Sequence, residues 1–208
     1  MARYTGPVCK LCRREGEKLF LKGKRCETPK CAMLKKNYPP GAHGNKRSFG
    51  QKSEYSKQLR EKQKAKRIFA IAEKQFRKYY EMADKKSGVT GDLLLQILES
   101  RLDNTIYRAG FSDSRSQARQ AISHGLIKVN GRKVKTPSIL VKEGSKIEIV
   151  ERAKTSKLFE NLAKKKDTSP KWLKVDLKKP IAEVLSLPTK EDTQQGIESQ
   201  LIVELYSK

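Results

Sequence analysis

The sequence predicts an α+β protein in three consecutive parts. These are a four-cysteine metal knuckle, a helical domain, and a small mixed domain in which a helix pair leads into antiparallel strands. Three observations predict it. All four cysteines fall within the first 31 residues. Apolar residues then recur at helical spacing from Ser53 to Ala83 and again from Leu94 to Ile122. From Ile127 the apolar period changes to two, around an Asn-Gly pair. The expected boundaries are 1–45 for the knuckle, 46–90 for the helical domain with the tail 190–208 joined to it, and 91–189 for the mixed domain, with its core motif at 92–151.

Cys9, Cys12, Cys26 and Cys31 stand in the pattern C-x2-C-x13-C-x4-C. A C-x2-C turn lets two thiolates reach one ion, and a second pair completes a tetrahedron. The segment between them is rich in Lys and Arg and too poor in apolar residues to fold unaided, so a metal supplies the missing stability. A redox C-x-x-C expects a βαβ pattern nearby, which the sequence lacks. Zinc is the expected ion, and an iron–sulfur cluster is an alternative that four thiolates also satisfy. Four ligands leave no open position, so such a site is structural. The loop it fixes carries Arg13, Arg14, Lys22, Lys24 and Arg25, and Arg3, Lys35 and Lys36 extend the same charge.

Pro39-Pro40-Gly41-Ala42-His43-Gly44 predicts a rigid turn, followed by Lys46 and Arg47. His43 is read as a phosphate contact, because four cysteines already fill a metal's shell. Ser53 to Ala83 reads as helix, with Tyr55, Leu59, Ile68, Ala72, Phe76 and Tyr79 or Tyr80 on its apolar face. Within it Arg60, Lys62, Lys64, Lys66 and Arg67 make a dense cationic run. Such runs are usually solvated helix faces; the density and sign here point to a polyanion's backbone. Ser87-Gly88-Val89-Thr90-Gly91 is the expected hinge into the next domain.

Leu94, Leu98, Leu102 and Ile106 recur every fourth residue and form one helix face, with Arg101 and Arg108 elsewhere on that helix. Gly110 is its stop, and Phe111 closes it. Ser114 and Gln117 predict a capping box for a second helix. That helix turns Ala118, Ala121 and Ile122 inward and leaves Arg115, Arg119 and His124 outside, and Gly125 ends it. Ile127 and Val129, then Asn130-Gly131, then Val134 read as a hairpin with a type I′ turn, from which Lys128, Arg132 and Lys133 alternate outward. Lys146 to Val150 alternates as a strand. Leu158, Phe159 and Leu162 mark a short helix, and Leu173–Val175 and Ile181–Leu185 two late strands about the Lys178-Lys179-Pro180 turn. Trp172 is read as core or domain seam. The apolar tail Gln200–Tyr206 is expected to dock on the helical domain.

Composition narrows the partner. The formal charge is +24 over 208 residues. That imbalance is costly as self-repulsion in the free chain, and a polyanion removes the cost. Nucleic acid is the commonest polyanion. Acidic membrane is excluded by the lack of any apolar run of about 18 residues and of a basic amphipathic stretch with a Trp- or Phe-bearing face. Met1-Ala2-Arg3-Tyr4 has no apolar secretory core, so the chain is expected to stay in a reducing compartment with free thiols. Aromatic residues are 7% of the chain, so stacking platforms for single strands are not prominent.

Arg101-Leu102-Asp103-Asn104, Ser114-Arg115, Ala118-Arg119-Gln120, His124-Gly125 and Val129-Asn130-Gly131 resemble, in order and spacing, the RNA-binding domain named after ribosomal protein S-four. One departure is Leu126, where family members often carry a second His. Pro39-Pro40-Gly41 with His43-Gly44, Gln58-Leu59-Arg60-Glu61-Lys62-Gln63, Glu73-Lys74-Gln75-Phe76-Arg77, Leu201-Ile202-Val203-Glu204 and the four-cysteine N-terminus resemble the bacterial form of that small-subunit family, so the resemblance covers nearly the whole chain. It implies a cytoplasmic, non-enzymatic constituent of the small ribosomal subunit. It implies primary binding of 16S rRNA at a multi-helix junction, nucleation of subunit assembly, and contact with neighbouring small-subunit proteins that affects decoding accuracy. It also implies a place near the channel where mRNA enters, repression of their own message in some members, and no small-molecule substrate.

Two rival readings are weaker. A pseudouridine synthase carrying the same domain would use an Arg-Leu-Asp context, and Arg101-Leu102-Asp103 matches superficially. The triplet nonetheless lies inside the basic helix, and no large catalytic domain follows it. Asp103 is better read as pairing with a nearby Arg or with backbone. A zinc-bearing DNA regulator would show the His pair of the common finger or dimerising heptads, and neither is present.

Overall fold

The computed structural model describes residues 4–45, 53–154, 156, 158–159, 162, 169–194 and 196–207. It is α+β, and it divides into two units: Met1–Leu94 with Gln195–Lys208, and Leu95–Gln194.

The first unit is helical. It contains α1 (Cys9–Glu15), a 3₁₀ turn (Gly23–Cys26), α2 (Ala32–Lys35), α3 (Glu54–Ile68) and α4 (Glu73–Asp84). Ser53 caps α3, its hydroxyl accepting from Ser56 N–H at 3.3 Å. The single helix expected from Ser53 to Ala83 is two helices. Ala70 adopts a left-handed φ of 51°, and the break carries Phe69 and Ile71 into the core. The apolar period alone does not reveal it, because both sides of the break keep the same phase. Tyr55, expected on the apolar face, is exposed. The C-terminal helix, α9 (Ser199–Tyr206), packs on α3. Ile202 is buried there, Gln58 donates to Glu204 at 2.9 Å, and Tyr206 stacks on Tyr80 at 4.6 Å between centroids.

Helix α5 (Thr90–Glu99) holds the point where the two units are divided. The continuous helix expected from Leu94 to Ile106 stops here. Ser100 closes the last turn of α5, its N–H donating to Gln96 C=O at 2.9 Å, and Arg101 runs extended. Arg101 bridges Leu140, Leu102 N–H donates to Ile139 C=O, and Val141 N–H to Ser100 C=O, each at 2.8 Å. These partners satisfy the backbone without a helix. A separate helix, α6 (Leu102–Arg108), then begins, followed by α7 (Arg115–Ser123). Gly110 and Gly125, at φ 73° and 66°, make the left-handed stops after each.

The second unit carries a five-stranded antiparallel sheet ordered β2-β1-β3-β5-β4. The strands are β1 (Ile127–Val129), β2 (Arg132–Val134), β3 (Lys146–Ile149), β4 (Leu173–Asp176) and β5 (Ile181–Val184). Ile127 faces Val134 on one side and Ile149 on the other. This register turns Ile127, Ile147, Ile149, Ala182 and Val184 onto Leu102, Ile106, Phe111, Ala118 and Ile122. Trp172 is in this core, 1% exposed. Helix α8 (Glu151–Lys154) lies before the position expected for a short helix at Leu158–Leu162. Phe159 and Leu162 are nonetheless buried, and much of 155–168 lies outside the described residues.

Candidate nucleic-acid interface

The cations divide sharply by what they touch. On α3 the run read as a polyanion contact is largely occupied within the protein. Arg60 and Arg67 both reach Glu15, whose side chain is 2% exposed. Lys64 is buried and meets Glu17 and Glu61 at 3.2 Å. Lys62 and Lys66 grip Glu73 at 2.7 and 2.8 Å. Burial alone would raise the Glu73 carboxyl, but hydrogen bonds from Lys62, Lys66 and Tyr206 outweigh it and hold the group down at about 2. Lys64 is therefore corrected from RNA contact to internal ion pair, and Arg60, Lys62, Lys66 and Arg67 are half-buried.

The second unit repeats the pattern. Arg101 is 1% exposed and holds Asp103 with two bonds at 3.0 and 2.6 Å. It is a core ion pair, not a surface contact, because the extended segment before α6 points it inward. Arg108 chelates the fully buried Glu99 at 2.9 and 2.8 Å. Arg115, read as outward-facing, is buried. It donates to Asn104 Oδ1 at 2.7 Å and Gln194 Oε1 at 2.8 Å, and its guanidinium lies 4.6 Å from the Tyr107 ring centroid. Arg119 is half-buried and reaches Asp103 at 3.4 Å. Ser114 is buried as the cap of α7, accepting from Gln117 N–H at 3.3 Å, and Gln117 Oε1 accepts from Asp113 N–H at 2.7 Å. The capping box thus closes one residue earlier than expected.

The solvent-facing cations lie elsewhere. Arg132, Lys133 and His124 are exposed around the hairpin, and Lys128 is half-buried between Lys133 and Glu148 in register. Asn130 sits at φ 49° in the turn, its N–H donating to Lys146 C=O and its Oδ1 accepting from Lys146 N–H, each at 2.8 Å. Its side chain shapes the hairpin. In the first unit Arg14, Lys24, Arg25, Lys35, Lys36 and His43 are exposed, and Arg13 is tied to Tyr38 C=O at 2.9 Å. Arg3, Lys46 and Arg47 lie outside the described residues. Asp103, read as pairing with a nearby Arg or with backbone, pairs with Arg101 and accepts from Asn104 N–H, whereas the acidic anchors Glu15, Glu73 and Glu99 were missed in the sequence. The one available signal was that they sit among cations in an otherwise acid-poor chain.

The four thiols Cys9, Cys12, Cys26 and Cys31 line one concavity, with Lys18, Phe20, Lys22, Arg25 and Met33. Cys12 and Cys31 are buried. Burial pushes the Cys12 thiol up; a hydrogen bond from the Leu19 backbone opposes this, and the other three thiols add to the rise. Lys22 N–H donates to Cys26 Sγ at 3.4 Å. Backbone donors aimed at sulfur suit a thiolate set. Among the described residues, however, no three such side chains stand at coordinating positions. The four thiols expected to form the knuckle share this one cavity. Among the described residues, no helix is long and apolar enough to cross a membrane.

With this geometry in place, comparison with known proteins is specific. The model of the ribosomal protein S4/S9 N-terminal domain matches residues 3–99, and that of the S4 domain matches residues 100–147. The small ribosomal subunit protein uS4 of Halothermothrix orenii and that of Caldicellulosiruptor bescii are each 54% identical over the whole of both chains. Protein uS4A of Alkaliphilus oremlandii is equally similar over the whole of both chains.

Proposed function

The chain belongs to the uS4 family of small ribosomal subunit proteins, and from that premise we propose that it is a structural, non-enzymatic constituent of the small subunit that binds 16S rRNA in the cytoplasm. The observation that carries the reading is the sorting of charge. Inner cations are consumed by Glu15, Glu73, Glu99 and Asp103, while Arg132 and Lys133 on a two-residue-turn hairpin and Arg14, Lys24, Arg25, Lys35 and Lys36 near the cysteines face solvent. A rigid frame that displays cations at set positions fits the backbone and shape of folded RNA.

The finer roles belong to the same reading. The chain binds rRNA early and nucleates assembly, touches neighbouring small-subunit proteins, lies near the channel where mRNA enters, influences decoding accuracy and represses its own message. The thiol cavity holds zinc, with an iron–sulfur cluster as the alternative. Its support is the chemistry of four convergent thiols with backbone donors from Leu19 and Lys22. The ion would lock the loop between Cys12 and Cys26, which carries Lys22, Lys24 and Arg25. Crosslinking in cells followed by mapping tests the partner: crosslinks concentrated in 16S rRNA support it, and crosslinks spread over unrelated RNA contradict it. Elemental analysis of the purified chain tests the metal.

A further inference from the structure

Resting on the RNA-binding reading, we propose that Phe20 is a stacking platform for an unpaired base of the bound RNA. Phe20 is a large apolar side chain in solvent, 45% exposed, while its neighbour Leu19 is 4% exposed. It adopts φ 49°, a left-handed backbone that a bulky L-residue enters at a cost. The surroundings hold it there. On one side the Leu19 backbone is hydrogen-bonded to Cys12, and on the other Lys22 N–H donates to Cys26 Sγ. The short stretch between them is pinned by sulfur at both ends, and Phe20 lines the thiol cavity while leaving 45% of its surface in solvent.

Charge names the occupant. Lys18, Lys22 and Arg25 line the same concavity as the ring and are exposed. A flat apolar face rimmed by cations matches a nucleobase with its phosphates, since every base offers a π-face and every linkage a negative charge. An apolar protein surface would not call for the cationic rim. Exposed apolar side chains such as Val89 and Leu185 lack both the ring and the shared concavity.

The test uses the full-length chain, with metal content matched across variants, and 16S rRNA transcript at one salt concentration. Phe20→Leu keeps the apolar bulk and removes the ring; Phe20→Trp restores a ring. Loss of a base stack predicts about tenfold weaker binding for Phe20→Leu, with Phe20→Trp within about twofold of the native chain. In parallel, transcript containing 4-thiouridine is crosslinked to the native chain and digested with trypsin. The adduct is expected on the peptide Leu19-Phe20-Leu21-Lys22. Phe20→Leu binding like the native chain overturns the inference, as do equal losses in both variants or an adduct absent from that peptide while the native chain binds. A native chain that fails to bind overturns it together with the reading it rests on.

Discussion

Replacing Arg115 by Ala separates a structural arginine from an RNA-contacting one. Its guanidinium makes hydrogen bonds of 2.7 and 2.8 Å to Asn104 and Gln194 and lies over Tyr107. Hydrogen bonds from a charged group contribute about 1.5–3 kcal/mol each, and a desolvated ring contact adds about 1 kcal/mol. Truncation also strands Asn104 Oδ1 beside a buried acid network. Together these come to roughly 4–7 kcal/mol lost from the second unit. A unit of that size loses about 4–8 °C of melting temperature per kcal/mol, so a fall of roughly 15 °C or more is expected. The assay is thermal unfolding by circular dichroism, beside rRNA affinity measured well below the transition. Affinity is expected to hold within about threefold, because the side chain is not at the surface. If Arg115→Ala melts within about 2 °C of the native chain and loses rRNA binding, the burial argument is refuted.

Other consequences are testable in the same way. Glu73, held at about 2 against an ordinary 4.5, contributes stability that is fully present above pH 4.5 and fades as pH falls toward 2; the melting difference between the native chain and Glu73→Gln should shrink across that window, and a difference constant with pH would count against the Lys62–Glu73–Lys66 clamp. Replacing Lys128, Arg132 and Lys133 together by Gln should weaken rRNA binding and lower the salt slope by about 1 for each phosphate that is no longer neutralised, with melting unchanged. Chelation should expose all four thiols to a thiol reagent and loosen the loop bearing Lys24 and Arg25; identical thiol reactivity before and after chelation would argue against a bound ion.

Some of this was legible in the sequence and some was not, for physical reasons. The hairpin at Asn130-Gly131 was readable because a left-handed turn demands those residues. The inward set Ala118, Ala121 and Ile122 was readable because burial follows the helical period. The breaks at Ala70 and at Ser100–Arg101 were not. Apolar spacing continues through both, and what ends each helix is a distant or local backbone partner, such as Leu140 for Arg101. The site suffered most from one assumption, that an Arg or Lys on a helix faces water. Arg101, Lys64 and Arg115 have carboxylate or amide partners up to 79 residues away, and one-dimensional charge patterns do not carry that pairing. Phe20 escaped notice because low aromatic content describes the chain, not one strained position.

The most direct test is the salt dependence of the purified chain's affinity for 16S rRNA. A surface of fixed, solvent-facing cations predicts a linear fall of log affinity with log salt, with a slope of magnitude about 0.9 for each phosphate neutralised and several phosphates engaged. A slope near zero, or equal affinity for 16S rRNA and for duplex DNA of the same charge, would contradict it.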